Sequence, residues 1–426
     1  METVLAPESA LPVTRTKAEL QRGMTLICIG LIATTLGSVT SIGELPLTNV
    51  LMNQLGCDPE KVSRFFWLMT LPWAFKPLAG LLSDSIPLCG TRRRHYILFA
   101  SAMAAGLWFV LAWVSASYFV MLGAAMLLYA AFMLVSTVIG ALIVEEGRRS
   151  AATGRLTTLR SVIVNISFLV GGPVSGLLAT RYGPTGGLRM AAGLGAVIFG
   201  VLWAASWVVL REARVPGVPV GQSARNAWRN LSGLFQHPSL WVAVGVITLV
   251  LALPSFATLI TFKQIRQLGF SYEQIGYLRL TFGVFGLLGA LAFRILCGKL
   301  SLRWTLTIGL IIYSLGNLAY FFYDSMPAAF CIEALNGIVI TLIQAPLFDL
   351  AARSTPKGSE ALGYGLIMAV WSNVMQFAPW FGSTLNQHFH ISLVGLIWIN
   401  AAAAMALVGI VPLMPRAIMD RREGQH

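Results

Sequence analysis

Charged side chains are scarce in this sequence, and the few inside apolar runs are its first chemical signal. Arg160 and Arg279 each lie a turn inside such a run, and Glu333 sits within another. An ionisable group in hydrocarbon costs roughly 2.5 to 3.5 kcal/mol on insertion scales, so its presence points to a cavity, a partner or a function. Two arginines facing one cavity would hold an anionic solute, and Glu333, with Glu44 at the end of the first run, could take up a proton. The alternative is that the arginines snorkel to the nearer interface and Glu333 reaches water. Lys76 and Arg294 stand closer to run ends, where snorkelling is easy, and Lys76 is also a candidate partner for Asp349. Among the uncharged polar groups at mid-run, Asn165, Asn336, Asn373 and Gln376 would form a substrate site if they faced one space. Interhelical hydrogen bonding explains any one of them alone.

The elements that must position these groups follow from composition. The 426 residues are 56% hydrophobic and only 11% charged, with a mean hydropathy of +0.74. A soluble domain carries about 25% charged residues, which excludes that class. Lipid offers the backbone no hydrogen bonds, so apolar runs of about 20 residues must be helices, and the fold class is an all-α polytopic membrane protein. Twelve windows qualify: 24–42, 65–82, 96–114, 118–144, 156–180, 188–210, 240–262, 275–296, 304–323, 328–350, 362–385 and 391–413. They divide into two six-helix halves, 1–210 and 237–426, around a polar central loop at 211–236. Of the 30 basic residues, 20 fall on the side of the two termini, six in the opposite loops and four inside windows, which places both termini in the cytoplasm of a plasma-membrane protein. The net charge of +13 is read as this topological bias, with no nucleic-acid partner. In the central loop, Trp228, Leu231, Leu234 and Phe235 recur at helical spacing, as a short interfacial helix or as incidental apolar residues of a linker.

Catalytic chemistry finds no constellation. Walker and Gly-x-Ser-x-Gly motifs are absent, the five histidines lie in loops or at helix ends, and the five cysteines are scattered without metal-ligand spacing. Neither an enzyme nor a cofactor is expected. Pro-x-x-Gly recurs at Pro173 to Gly176 and at Pro379 to Gly382, in corresponding windows of the two halves, as a bending point or as a close-packing site.

The densest motif is LPWAFKPLAGLLSDSIPLCGTRRRHY at 71–96. Gly80 permits close helix approach, Asp84 at a helix end can meet a basic partner, and Arg92, Arg93 and Arg94 supply counter-charges. These positions resemble the loop between helices 2 and 3 of the major facilitator superfamily. In its longer form, with Trp73, Lys76, Pro77, Gly80, Ser83, Asp84, Pro87, Gly90, Arg92, Arg93 and Tyr96, the segment resembles the folate-biopterin transporter family. Glu145, Arg148, Gly154 and Leu156, then Pro356, Lys357, Gly358, Glu360 and Ala361, and finally Ser372 and Asn373, fit the same family pattern. The resemblance implies the major facilitator fold, a central cavity faced by helices 5, 8 and 10, and a pterin- or folate-like solute. One departure stands out: the family usually carries aspartates where this sequence has Ser136 and Gly140.

The expected function is secondary active transport of a small organic, anionic solute by alternating access, by a monomer in the lipid bilayer. Proton coupling and uniport both stay open. At the cytoplasmic gate, Asp84, Glu145 and Glu360 are expected to pair with Arg92 to Arg94, Arg148 and Lys357, parting when that gate opens. The alternative is a non-transporting membrane receptor or assembly factor delivering a lipid, pigment or protein.

Overall fold

A computed structural model describes residues 17–114, 117–149, 153–210, 212, 233, 236–297, 299–355, 360–414 and 419–420. The described chain is helical almost throughout, and each of the twelve sequence windows falls on helix. In order these are α1 (Lys17–Thr35), α2 (Glu44–Asn49), α3 (Pro59–Thr70), α4 (Lys76–Ser85), α5 (Arg94–Trp113), α6 (Tyr118–Arg149) and α7 (Thr153–Val209). Then come α8 (Pro238–Leu251), α9 (Ala257–Phe262), α10 (Tyr272–Cys297), α11 (Leu302–Asn317), α12 (Met326–Arg353), α13 (Glu360–Phe389) and α14 (Leu393–Val408). Among the described residues, eight segments are long and apolar enough to cross a membrane by length and composition alone. The fifth and sixth windows share α7, which turns back at Gly183, where φ of 67° places the residue outside helical space. Most of the central loop, including 228–232 and 234–235, lies outside the described residues.

The first window is longer than its hydropathy suggests. After a break at 36–43 the helical path resumes through α2 and a π-helical turn, Val50–Gln54, so Glu44 belongs inside a helical path instead of at its mouth. Hydropathy hides this because Asn49, Asn53 and Gln54 are polar, yet the structure pairs them: Asn49 donates to the Ala179 carbonyl at 3.2 Å, and Gln54 bonds Thr185.

The seventh window repeats the same construction. A helix (α8) breaks at 252–256, resumes as the six-residue α9, tightens into a π-helical turn at Lys263–Gln267 and ends on a glycine. Gln54-Leu55-Gly56 and Gln267-Leu268-Gly269 occupy equivalent places, and both glycines have positive φ, 60° and 67°, which favours a residue without Cβ. Matching backbone bonds close the two turns, Leu55 to the Val50 carbonyl and Leu268 to the Lys263 carbonyl.

Burial follows this duplication. One core gathers residues between Leu26 and Leu202, a second gathers residues between Leu240 and Met419, and a third joins Leu45 and Ala179 of the first part to Phe256, Ile275, Tyr323 and Ile397 of the second. The tightest crossing between the parts is α7 against α10. A Cβ on Gly276 would stand 2.6 Å from the Gly172 carbonyl oxygen, so the two backbones touch directly there.

Candidate functional site

The contacts between the two parts concentrate at one end of the bundle, the end where the chain turns at 55–58, 183 and 268–271; it is called here the far end, opposite the termini. The strongest joins Glu44 of α2 to Arg279 of α10. Arg279 donates from Nη1 to Oε2 at 2.7 Å and from Nη2 to Oε1 at 2.9 Å, a two-pronged pair with both side chains about 30% exposed. Sequence reasoning assigned Arg279 to an anionic solute and Glu44 to a proton; the structure brings the two together and neutralises one with the other. Nearby, Arg266 donates to Asn53 Oδ1 at 3.0 Å and Asn53 donates to the Tyr272 hydroxyl at 3.1 Å.

The start of α3 and the end of α13 extend the seam. Trp380 donates from its indole to Glu60 Oε1 at 2.8 Å, and its ring stacks on Trp67 with centroids 4.5 Å apart. Asp58 caps α3 by accepting from the Lys61 amide at 2.8 Å, and it also accepts from Gln387 Nε2 at 3.1 Å. Burial works against its charge, but these hydrogen bonds and the nearby Lys61 ammonium outweigh it, holding the Asp58 carboxyl below the usual range.

Glu333 does not reach outer water through a free carboxylate. Its Oε1 accepts from the Tyr323 hydroxyl at 3.2 Å and the Tyr320 hydroxyl at 3.3 Å, while Asn336 donates to the Tyr320 oxygen at 2.8 Å and Gln264 bonds Tyr323. The two tyrosines lie three residues apart along the 3-10 turn Leu318–Phe322 and its cap, a geometry that eclipses side chains at i and i+3, and their rings stack at 5.4 Å. Sequence reasoning found Glu333 and Asn336 but missed Tyr320, Tyr323 and Gln264; the Tyr-x-x-Tyr spacing ahead of α12 was the available signal.

Toward the middle, Lys76 donates to Ser136 Oγ at 2.9 Å and lies 4.6 Å above the Trp73 ring. Asp349, a candidate partner for Lys76 beside the snorkelling alternative, is bound by Arg353 one turn along α12 at 2.7 Å, an i,i+4 pair. Arg160 and Asn165 are exposed on α7, and Gln376 is half-buried on α13. Asn373 donates to the Ala369 carbonyl at 2.8 Å and leaves its buried Oδ1 without a protein partner.

At the terminal end, the ion pairs among the described residues include two that join groups of one part. Arg93, 8% exposed, grips Glu145 at 2.7 Å and donates to Ser83 Oγ at 3.0 Å. Glu212, which sequence reasoning overlooked, accepts from the backbone amides of Arg92 and Arg93 at 2.9 Å and of Arg94 at 3.1 Å, at the start of α5. The first N–H groups of a helix have no acceptor within it, and its positive end suits a carboxylate. Arg94 in turn donates to the Trp207 carbonyl at 3.1 Å. The Asp84, Arg148 and Glu360 side chains, and all of Lys357, lie outside the described residues. Gly80 does not mark a forced approach: a Cβ there would meet Thr137 at an ordinary 3.6 Å. Close packing is the office of the Pro-x-x-Gly glycines, since Gly176 lies against the Tyr272 carbonyl and Gly382 against the Ser255 carbonyl.

Two helical parts packed against each other, with polar pairs such as Glu44 to Arg279 crossing between them, form a fold that solved transporter structures share. A D-xylose-proton symporter superposes with a TM-score of 0.68 over 91% of this chain and 96% of its own, at 13% identity. The nucleoside transporter NupG superposes at 0.67 over 93% and 99%, also at 13% identity. The model of the BT1 family matches residues 37–423, and the chain belongs to that family. Among curated relatives, a folate-biopterin transporter of Synechocystis sp. (strain ATCC 27184 / PCC 6803 / Kazusa) is 24% identical over 418 residues, covering 90% of this chain and 81% of that protein. Folate transporter 2 of Plasmodium falciparum (isolate 3D7) is 24% identical over 380 residues, covering 84% and 80%. The chain is therefore a multi-pass membrane transporter of a small molecule and not an enzyme.

Proposed function

We propose that this protein moves a small organic anion of the pterin or folate type across the plasma membrane by alternating access, as a monomer of two six-helix halves, 1–210 and 237–426, with the loop 211–236 and both termini cytoplasmic. The distribution of bonds across the seam carries the reading. Glu44 to Arg279, Asn53 to Arg266 and Tyr272, Asp58 to Gln387 and Glu60 to Trp380 fasten the far end. Among the described residues at the terminal end, Arg93 pairs with Glu145 and Arg303 with Asp420, each within a half. The fastened far end supports reading this conformation as one closed on that side. The Arg93 to Glu145 pair then braces the cytoplasmic face of one half throughout the cycle, and the parting contacts are those of the outer seam.

Proton coupling has two candidate carriers. Protonation of Glu44 would remove the charge that holds Arg279 and release the outer seam, and Glu333 would exchange a proton through its tyrosine cage. The solute would contact Arg160, Asn165, Asn336, Asn373 and Gln376 as it passes. Concentrative uptake of a labelled folate or pterin into sealed proteoliposomes tests the reading, with abolition by an uncoupler assigning the proton. Binding without uptake under any imposed gradient would point to a receptor and sink it.

A further inference from the structure

Trp67 of α3 and Trp380 of α13 belong to different halves, and their indoles lie face to face across the seam, with centroids 4.5 Å apart and planes 19° from parallel. Phe377, a turn before Trp380, meets the same Trp67 ring edge-on at 5.4 Å. The Trp380 ring is held in place by Glu60, which is buried, accepts the indole N–H at 2.8 Å and lies 3.6 Å from Arg64 Nη1. Counted along α3 and α13 at 1.5 Å per residue, the stack sits roughly 10 to 14 Å inside the Asp58 to Gln387 bond, between the rim of the far end and the middle of the bundle. Both indoles are only half-buried there. Parting of the halves at the far end separates the two rings and leaves each with a flat face and nothing stacked on it. A flat conjugated solute restores that contact in the parted state alone, and so favours that state by its differential affinity. The same side of α13 offers an acceptor for the edge of such a ring. Asn373, Phe377 and Trp380 fall at i, i+4 and i+7, one face of a helix, and the buried Asn373 Oδ1 has no protein partner, a cost that an N–H donor on the solute removes.

We propose that Trp67 and Trp380 form an aromatic clamp for the ring of the solute, stacked on each other while the far end is closed and on a planar heteroaromatic ring when it opens, so that the site selects for ring planarity. This rests on the pterin reading above but is measured separately, by equilibrium binding to purified protein. The probes are biopterin, whose two fused rings are flat, and tetrahydrobiopterin, held without oxygen, whose second ring is saturated and puckered. The cost of parting the halves is common to both ligands and cancels in the ratio of their affinities. Wild type is expected to prefer biopterin by about fivefold or more, the lower end for stacking a heteroaromatic base on a side-chain ring. Trp67→Leu and Trp380→Leu keep apolar bulk, remove the flat face and should bring the ratio toward one, whereas Trp67→Phe and Trp380→Phe should keep most of it. No preference in wild type, an unchanged ratio in either leucine variant, or equal loss with leucine and phenylalanine would each overturn the clamp. Preference for the flat ring without uptake would leave the clamp standing and remove the transport reading instead.

Discussion

Replacing Glu44 with Gln removes one charge of the bidentate pair that crosses the outer seam and leaves Arg279 in place without its partner. Exposed ion pairs contribute about 0.2 to 1 kcal/mol, while stripping one partner from a fully buried pair costs about 3 to 5 kcal/mol. Glu44 and Arg279 have side chains 29% and 31% exposed, between those limits, so the closed outer seam should lose about 1 to 3 kcal/mol relative to the open one. That corresponds to a shift of roughly 5- to 150-fold in the ratio of the two states. Pulsed electron resonance between spin labels can read the ratio directly, with the five native cysteines replaced. Phe119→Cys at the start of α6 and Phe322→Cys near the end of the 3-10 turn place labels at the far end on opposite halves, at sites 77% and 73% exposed that the seam does not use. Glu44→Gln should add a longer-distance population, Arg279→Gln should do the same, and the exchanged pair Glu44→Arg with Arg279→Glu should restore the short one. An identical distance distribution in wild type and both single variants would refute the assignment of this pair as a seam latch.

Asp58→Ala should lower thermal stability by about 1 kcal/mol through loss of the α3 cap, with further loss of the Gln387 bond. Because the folded Asp58 carboxyl titrates below its ordinary value, its stabilisation is fully present above about pH 4 and fades as pH falls through the folded value; Asp58→Asn should be flat over that range in a melting series. Gly276→Val should force α7 and α10 apart, since even a Cβ would stand 2.6 Å from a carbonyl oxygen, and the labels above should report a far end that fails to close. A normal short distance would show that the crossing tolerates bulk. Glu212→Gln removes the charge that binds three backbone amides at the start of α5, and limited trypsin digestion should cut the neighbouring loop at Arg211 or Arg214 faster than in wild type.

Much of the fold was legible because lipid leaves the backbone one choice. Apolar length alone located helix for every window. The misjudged parts are those where polar residues take over structural duties. Hydropathy ended the first window before Glu44, although Asn49, Asn53 and Gln54 continue the helical path by bonding to α7 and α10. Residue type found Arg279, Glu44 and Glu333 as the charges that needed an explanation, but it could not tell a solute contact from a partner 235 positions away in the chain. The same blindness offered Asp349 as one candidate for Lys76, although an arginine one turn along its own helix was the nearer partner. The repeat of Gln-Leu-Gly at 54–56 and 267–269 was visible in the letters, but its meaning depends on a π-helical turn that no periodicity announces.

That repeat has a historical consequence. Asn53 and Arg266 stand at the same place in the two copies of the turn, one step before the shared glutamine, and they bond to each other at 3.0 Å. A position that meets its own counterpart is what a two-fold axis produces when identical subunits pair face to face. The touch between these residues is thus what an ancestral homodimer of six-helix chains would leave behind after gene fusion. An amide facing a guanidinium is a contact that two identical subunits could not make, so it requires the two copies of the turn to differ at this position.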